Sequence, residues 1–145
     1  MFVVKRNGQK EEVKFDKVTK RIKNLCKGLD QSVMDNAVVV AQKVCSGIVN
    51  MISTQNLDAL ASKVAADMVV YHPDYGILSG RLAASNLRKK IKCTFSEAMD
   101  RLYNNTDDKG KHHPVISKET YDIVMKHKSV LDGAIKYDRD FNYDV

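Results

Sequence analysis

Val4-Lys5-Arg6-Asn7-Gly8, followed by Glu11 and by Val13-Lys14-Phe15-Asp16-Lys17, decides how this chain is read. Phe2-Val3-Val4 is a short β-rich run. Asn7-Gly8 after it is the strongest short hairpin signal, because a type I′ turn needs φ > 0 at both central residues. The return strand is expected from about Lys10 to Lys14. Phe15 then leads into Asp16, a good N-cap, and Val18, Ile22, Leu25, Cys26 and Leu29 continue at helical spacing to a C-cap near Gly28.

Outward from that stretch the pattern is helical. Residues 33–51 predict a second helix with Ala37, Val40, Ala41, Val44 and Ile48 on one face. Ser53 or Thr54 caps a third, whose apolar positions Leu57, Leu60, Ala61, Val64, Ala65 and Met68 keep the helical period. His72-Pro73-Asp74 breaks it and opens a fourth, with Ile77, Leu78, Leu82, Leu87 and Ile91 expected inward and Gly76 and Gly80 leaving room for close packing. The expected fold is mainly α: a hairpin and four helices forming one unit over residues 1–92. Residues 93–145 differ in texture and form a second, incomplete region. Thr94-Phe95-Ser96-Glu97 is a capping box opening a short helix to about Tyr103, residues 104–114 read as an exposed loop, and Ser117 caps a helix to about His127. A short helical piece is expected near residues 130–135. The alternating aromatics of Tyr137-Asp138-Arg139-Asp140-Phe141-Asn142-Tyr143 predict a strand.

Charge is distributed unevenly. The 145 residues carry a formal net charge of +6. Lys5, Arg6, Lys10, Lys14, Lys17, Lys20, Arg21, Lys23 and Lys27 face only Glu11, Glu12 and Asp16 within the first 27 residues, so the whole surplus lies there. An anionic partner at that end is the natural reading. Cys26, Cys45 and Cys93 are an odd, widely spaced set and read as reduced thiols used as small hydrophobes, which points to a cytosolic compartment. Four apolar residues before Lys5 are too few for a secretory signal, whose apolar region needs about 7–15. No apolar run approaches the roughly 18 residues of a membrane span.

The candidate chemistry is therefore anion binding. Lys5 and Arg6 enter the turn, Lys10 and Lys14 leave it, and Lys17 sits in a first helical turn whose free N–H groups favour an anion. On charge alone a solvated basic face is the ordinary reading. No G-x-x-x-x-G-K-[ST] phosphate loop exists, so side chains would have to hold a triphosphate. Thr54 and Asp58 lie one turn apart on the third helix; spacing does not choose between an exposed carboxylate near a helix N-terminus and one aimed at a ribose. Arg88-Lys89-Lys90 and Lys92 suit the C-terminal end of the fourth helix, or one of them reaches the same phosphates. His72, His112, His113 and His127 lack ligand spacing and no C-x-x-C pair is present, so no metal site is expected.

Taken together, these residues resemble the opening of an ATP-cone domain, in which a β-hairpin lid covers a four-helix bundle. His72-Pro73-Asp74-Tyr75 with Arg81-Leu82-Ala83-Ala84-Ser85-Asn86-Leu87 is similar to the large (α) subunit of class I ribonucleotide reductases of the eukaryotic type. Lys111-His112 with Pro114, Tyr121-Asp122-Ile123-Val124 and Tyr137-Asp138-Arg139-Asp140-Phe141 extend the likeness over nearly all of the chain. Asn7, where related chains often carry Asp, suits the turn equally. The resemblance implies an overall-activity switch for deoxyribonucleotide synthesis and hence DNA replication, with ATP activating and dATP inhibiting. It implies an effector site of Lys5, Arg6, Glu11, Glu12, Val13, Lys14, Phe15, Asp16, Lys17, Thr54, Asp58 and Lys89. Lys5, Arg6, Lys17 and Lys89 would contact phosphates carrying Mg²⁺, Glu11 to Lys14 would cover the base, and Asp58 would lie near the sugar. The implied partners are the rest of the large subunit, the small subunit and further copies in effector-dependent oligomers, in the cytoplasm, with neither membrane nor nucleic acid. The parent would be ribonucleoside-diphosphate reductase; the catalytic residues would lie beyond this fragment, which would be inactive alone. Competing readings are a basic helical nucleic-acid-binding protein, a ligand-free interaction module, and a transcriptional repressor carrying the same cone, whose zinc ribbon this sequence lacks.

Overall fold

The computed structural model describes residues 1–91 and 93–142; Lys92 and Tyr143 lie outside the described residues. Two compact units are present, Met1–Lys90 with the segment from Arg139, and Ile91–Asp138.

The first unit opens with the hairpin of β1 (Phe2–Val4) and β2 (Lys10–Glu12), antiparallel with Val3 opposite Glu11. The turn is not type I′. Among the described non-glycine residues only Met51 has positive φ, while Gly8 sits at φ 82° and its N–H donates to the Lys5 carbonyl across 2.9 Å. Arg6 and Asn7 therefore form the corner and Gly8 alone adopts the left-handed conformation, a loop in which one glycine does what a type I′ turn asks of two residues. β2 stops at Glu12 because Lys14 already occupies the cap position of α1 (Phe15–Leu25). Asp16 lies inside the first turn instead of capping it.

The predicted helix over 33–51 is divided. α2 (Gln31–Asp35) ends at Asn36 and α3 (Ala37–Ser46) ends at Gly47. The chain then reverses at Met51, φ 67°, and β3 (Ile52–Ser53) adds to β1 in parallel, giving the order β2-β1-β3. The Asn50 side chain accepts from the Phe2 N–H at 3.0 Å, and the Phe2 carbonyl takes the Met51 N–H at 2.8 Å. A free edge of β1 would leave those backbone groups unpaired, so the chain after α3 is drawn off the helix to fill it.

Ser53, and not Thr54, caps α4 (Thr54–Asp67), its hydroxyl accepting the Asn56 N–H. A short 3₁₀ turn at Met68–Val70 leads to α5 (Asp74–Ile91). Here the apolar phase differs from expectation: Tyr75, Leu78, Ser79 and Leu82 are buried, whereas Ile77, Leu87 and Ile91 are exposed. Ser79 and Ser62 of α4 explain the rotation. Each hydroxyl reaches the other's carbonyl, at 2.8 and 3.0 Å, and such small residues let the two helices approach closely. Arg81 of α5 donates to the Leu25 and Lys27 carbonyls at 2.7 and 2.8 Å, satisfying the C-terminal end of α1. Ile22, Cys26, Val40, Val44, Leu78 and Leu82 are fully buried at the centre of the four long helices. Each large aliphatic among them contributes about 1.5–3 kcal/mol by leaving water.

In the second unit α6 (Phe95–Tyr103) starts with the expected capping box of Thr94 and Glu97, followed by α7 (Lys118–Lys126) and α8 (Lys128–Ala134). The buried Ser96 donates from its backbone and its hydroxyl to Asp132 at 2.8 and 2.7 Å. Tyr137–Asn142 is a 3₁₀ helix, not a strand. The Phe141 ring lies under the Arg81 guanidinium at 5.6 Å, so an aromatic that reads as a strand position is held by a cation instead.

Candidate functional site

The hairpin leans over α1 and α4 and encloses a cavity. Lys5, Glu11, Glu12, Val13, Lys14 and Lys17 form one wall, and Thr54 and Asp58 enter from α4. Val3, Val18, Ile22, Val44, Leu57, Ala61 and Leu82 supply an apolar floor. One side is thus suited to a flat, greasy group and the rim to an anion.

Asp58 is the centre of the rim. It is only 4% exposed, so its carboxylate needs partners to be stable where it sits. Arg21 of α1 supplies the nearest, Nη1 at 2.7 Å from Oδ1. Lys89 of α5 approaches Oδ2 at 3.4 Å, and Arg6 from the hairpin corner at 3.8 Å. Asn86 and Ser85 fix two of these cations. The Arg6 guanidinium donates to Asn86 Oδ1 at 2.6 Å, and Arg21 donates to the Ser85 hydroxyl at 3.2 Å. Desolvation pulls the Lys89 ammonium below its ordinary value, and the positive Arg21 beside it adds to the effect, against the attraction of Asp58.

Glu11 organises the second cluster. Its carboxylate pairs with Lys17 of α1 and with Lys5, the residue that follows β1. These ammonium groups, Lys17 foremost, hold the Glu11 carboxyl down at about 2, against an ordinary 4.5.

Of the residues implied by the resemblance, Lys5, Glu11, Glu12, Val13, Lys14, Lys17, Thr54 and Asp58 line the cavity together. Arg6 and Lys89 do not line it but join through Asp58. Phe15 and Asp16 are exposed and outside its lining, since α1 starts at Phe15 and turns both away. The alternative of an exposed helix carboxylate at Asp58 is overturned by its burial. Sequence reasoning passed over Arg21, Asn86 and the apolar floor. Arg21 had a signal: it lies one turn after Lys17, so both project from one face of α1. A more open groove, which shares Lys17 and Arg21 with the cavity, adds Lys20 and Lys89.

The thiols of Cys26, Cys45 and Cys93 are all free. Among the described residues no helix is long and apolar enough to cross a membrane.

Comparison with known proteins agrees with this geometry. Residues 1–90 match the family described as the ATP cone domain. The chain is 49% identical over 144 residues to the ribonucleoside-diphosphate reductase large chain of Neurospora crassa, covering 99% of this chain and 15% of that protein. It is 50% identical over 145 residues to the large subunit of Vaccinia virus and 47% identical to that of Danio rerio, in each case over 99% of this chain, with 19% and 18% of those proteins covered. The chain thus spans less than one fifth of the length of these relatives. The family match covers the hairpin and the four long helices that build the cavity, and the chain belongs to the ATP-cone family.

Proposed function

We propose that the cavity under the hairpin binds ATP or dATP and reports which of them is present to the remainder of a ribonucleoside-diphosphate reductase large subunit. The observation that carries this reading is the convergence of Lys5, Lys17 and Arg21 on a cavity floored by Val18, Ile22, Leu57 and Ala61, with Arg6 and Lys89 joined to it through Asp58. Adenine lies on the floor beneath the Glu11–Lys14 segment and the phosphates face the cations. Mg²⁺ arrives on the phosphates: among the described residues no group of three or more His, Cys, Asp or Glu side chains could hold a metal ion, and the Glu11 and Asp58 carboxylates are engaged by cations. A metal bound by a nucleotide's own oxygens fits such a site.

Asp58 is the proposed sugar reader. ATP and dATP differ by one hydroxyl, and a hydrogen bond to a charged group contributes about 1.5–3 kcal/mol. Allosteric coupling is typically about 1–3 kcal/mol, so one contact suffices to set the state. In this reading residues 1–92 are the regulatory domain and residues 93–145 begin the catalytic region. The small subunit and effector-dependent copies of the large subunit are the partners, in the cytoplasm, serving deoxyribonucleotide supply for DNA replication. The chemistry is carried out elsewhere in the parent enzyme.

Calorimetric titration with ATP and dATP tests the reading. Saturable binding, weakened by Lys5→Ala and altered in its ATP-to-dATP ratio by Asp58→Asn, is expected. Absence of binding at cellular nucleotide levels overturns it and leaves an interaction module; steep salt-dependent DNA binding without nucleotide binding leaves a nucleic-acid protein.

A further inference from the structure

Five of the cations around the cavity already face a carboxylate. Asp58 holds Arg21 at 2.7 Å and attracts Lys89 and Arg6, while Glu11 holds Lys5 and Lys17. Resting on the reading that this cavity takes a nucleoside polyphosphate, we propose that Asp58 and Glu11 are internal counter-ions which the polyphosphate must displace, so that the two carboxylates set how tightly the cone holds its effector.

The chemistry follows from the shared donors. Carboxylate and phosphate oxygens compete for the same N–H groups. Arg21 directs Nη1 at Asp58, and Lys17 directs its ammonium at Glu11, so neither can receive a phosphate oxygen in full without loosening a carboxylate. With Asp58 buried, the arrangement is mutual: the carboxylate is tolerable there because cations surround it, and the cations approach one another because the carboxylate lies between them. The depressed Lys89 ammonium accords with this, since its positive neighbour Arg21 works against the charged form. Five cations on two carboxylates leave a positive surplus, which still draws a polyphosphate in.

Displacement has two mechanical consequences. Glu11 belongs to the hairpin and Lys17 to α1, so transfer of Lys17 to phosphate cuts one tie between them. Arg6 is anchored to Asn86 as well as Asp58, and its buried Nε has no hydrogen-bond partner among the described residues, so the hairpin corner stays attached with a donor unspent. Asp58, released from Arg21 and Lys89, becomes free to accept from the sugar. Phosphate binding thus prepares the carboxylate that reads the ribose.

Inorganic tripolyphosphate separates this role from sugar reading, because it has no sugar. It is titrated calorimetrically into the 145-residue chain and into its Asp58→Asn and Glu11→Gln variants, with ATP titrated into the unsubstituted chain in parallel. Asp58→Asn is expected to bind tripolyphosphate about tenfold tighter. Glu11→Gln, at a more exposed pair, is expected to bind about twofold to fivefold tighter. Variants that bind tripolyphosphate no tighter than the unsubstituted chain, while that chain binds ATP, overturn the counter-ion role and leave the nucleotide site standing. An unsubstituted chain that binds neither probe overturns both. If circular dichroism shows that Asp58→Asn does not fold, Glu11→Gln decides by the same criterion, since its carboxylate is at the surface.

Discussion

Arg21 Nη1 lies 2.7 Å from Oδ1 of the buried Asp58, and this contact fastens α1 to α4 across the mouth of the cavity. Replacing Arg21 by Gln leaves Asp58 with Lys89 and Arg6 at longer range. Breaking a fully buried pair costs about 3–5 kcal/mol; because Arg21 is partly exposed, a loss of about 2 kcal/mol is expected. Urea unfolding of Arg21→Gln, Asp58→Asn and the double variant measures it. The double variant is expected to be more stable than the two single losses added together, and strict additivity would show that the pair is not coupled.

The hairpin's tie to α1 depends on pH in a defined direction. Glu11 is lowered from 4.5 to about 2 by Lys17 and Lys5. A lowered folded-state value means that the stabilisation is fully present above about 4.5 and is lost as pH falls toward 2. Chemical-shift titration of the hairpin residues is expected to follow a midpoint near 2, and Glu11→Gln should remove that transition. A Glu11 midpoint at its ordinary value would contradict the pairing.

Thiol reactivity should divide the cysteines. Cys26 is fully buried in the core and burial pushes its thiol up to about 11. Burial also raises Cys45, which is partly accessible, as is Cys93. A thiol reagent at pH 8 is expected to modify Cys45 and Cys93 in the native chain and Cys26 only on unfolding. Equal rates for all three thiols would mean that the core opens far more readily than its packing implies.

Ser53 ends β3 and caps α4, so one side chain serves the sheet-to-helix junction beneath the site. Ser53→Ala is expected to cost about 1 kcal/mol and Ser53→Gly only a few tenths. Equal losses in thermal unfolding would assign the residue's contribution to the strand and not to the cap.

Local physics made much of this molecule readable from residues alone. The hairpin follows from a β-rich run and one glycine, the helix starts at Ser53, Thr94 and Ser117 from hydroxyls that accept N–H groups three residues on, and the anion-binding end from the placement of nine cations. Each of those signals acts within a few residues, and Lys5 and Lys17 could be singled out with them, whereas the place of Asp58 in the site was implied only by the family resemblance. What the sequence could not determine arises between residues far apart in the chain. β3 exists because the free edge of β1 needs a partner some fifty residues away, and α5 is turned so that Ser79 meets Ser62. Arg21 became a site residue, and Asp58 a buried one, only when α1, α4 and α5 packed together. Short-range capping and periodicity set where the helices run; the cost of leaving a strand edge or a buried carboxylate unpaired decided how they meet.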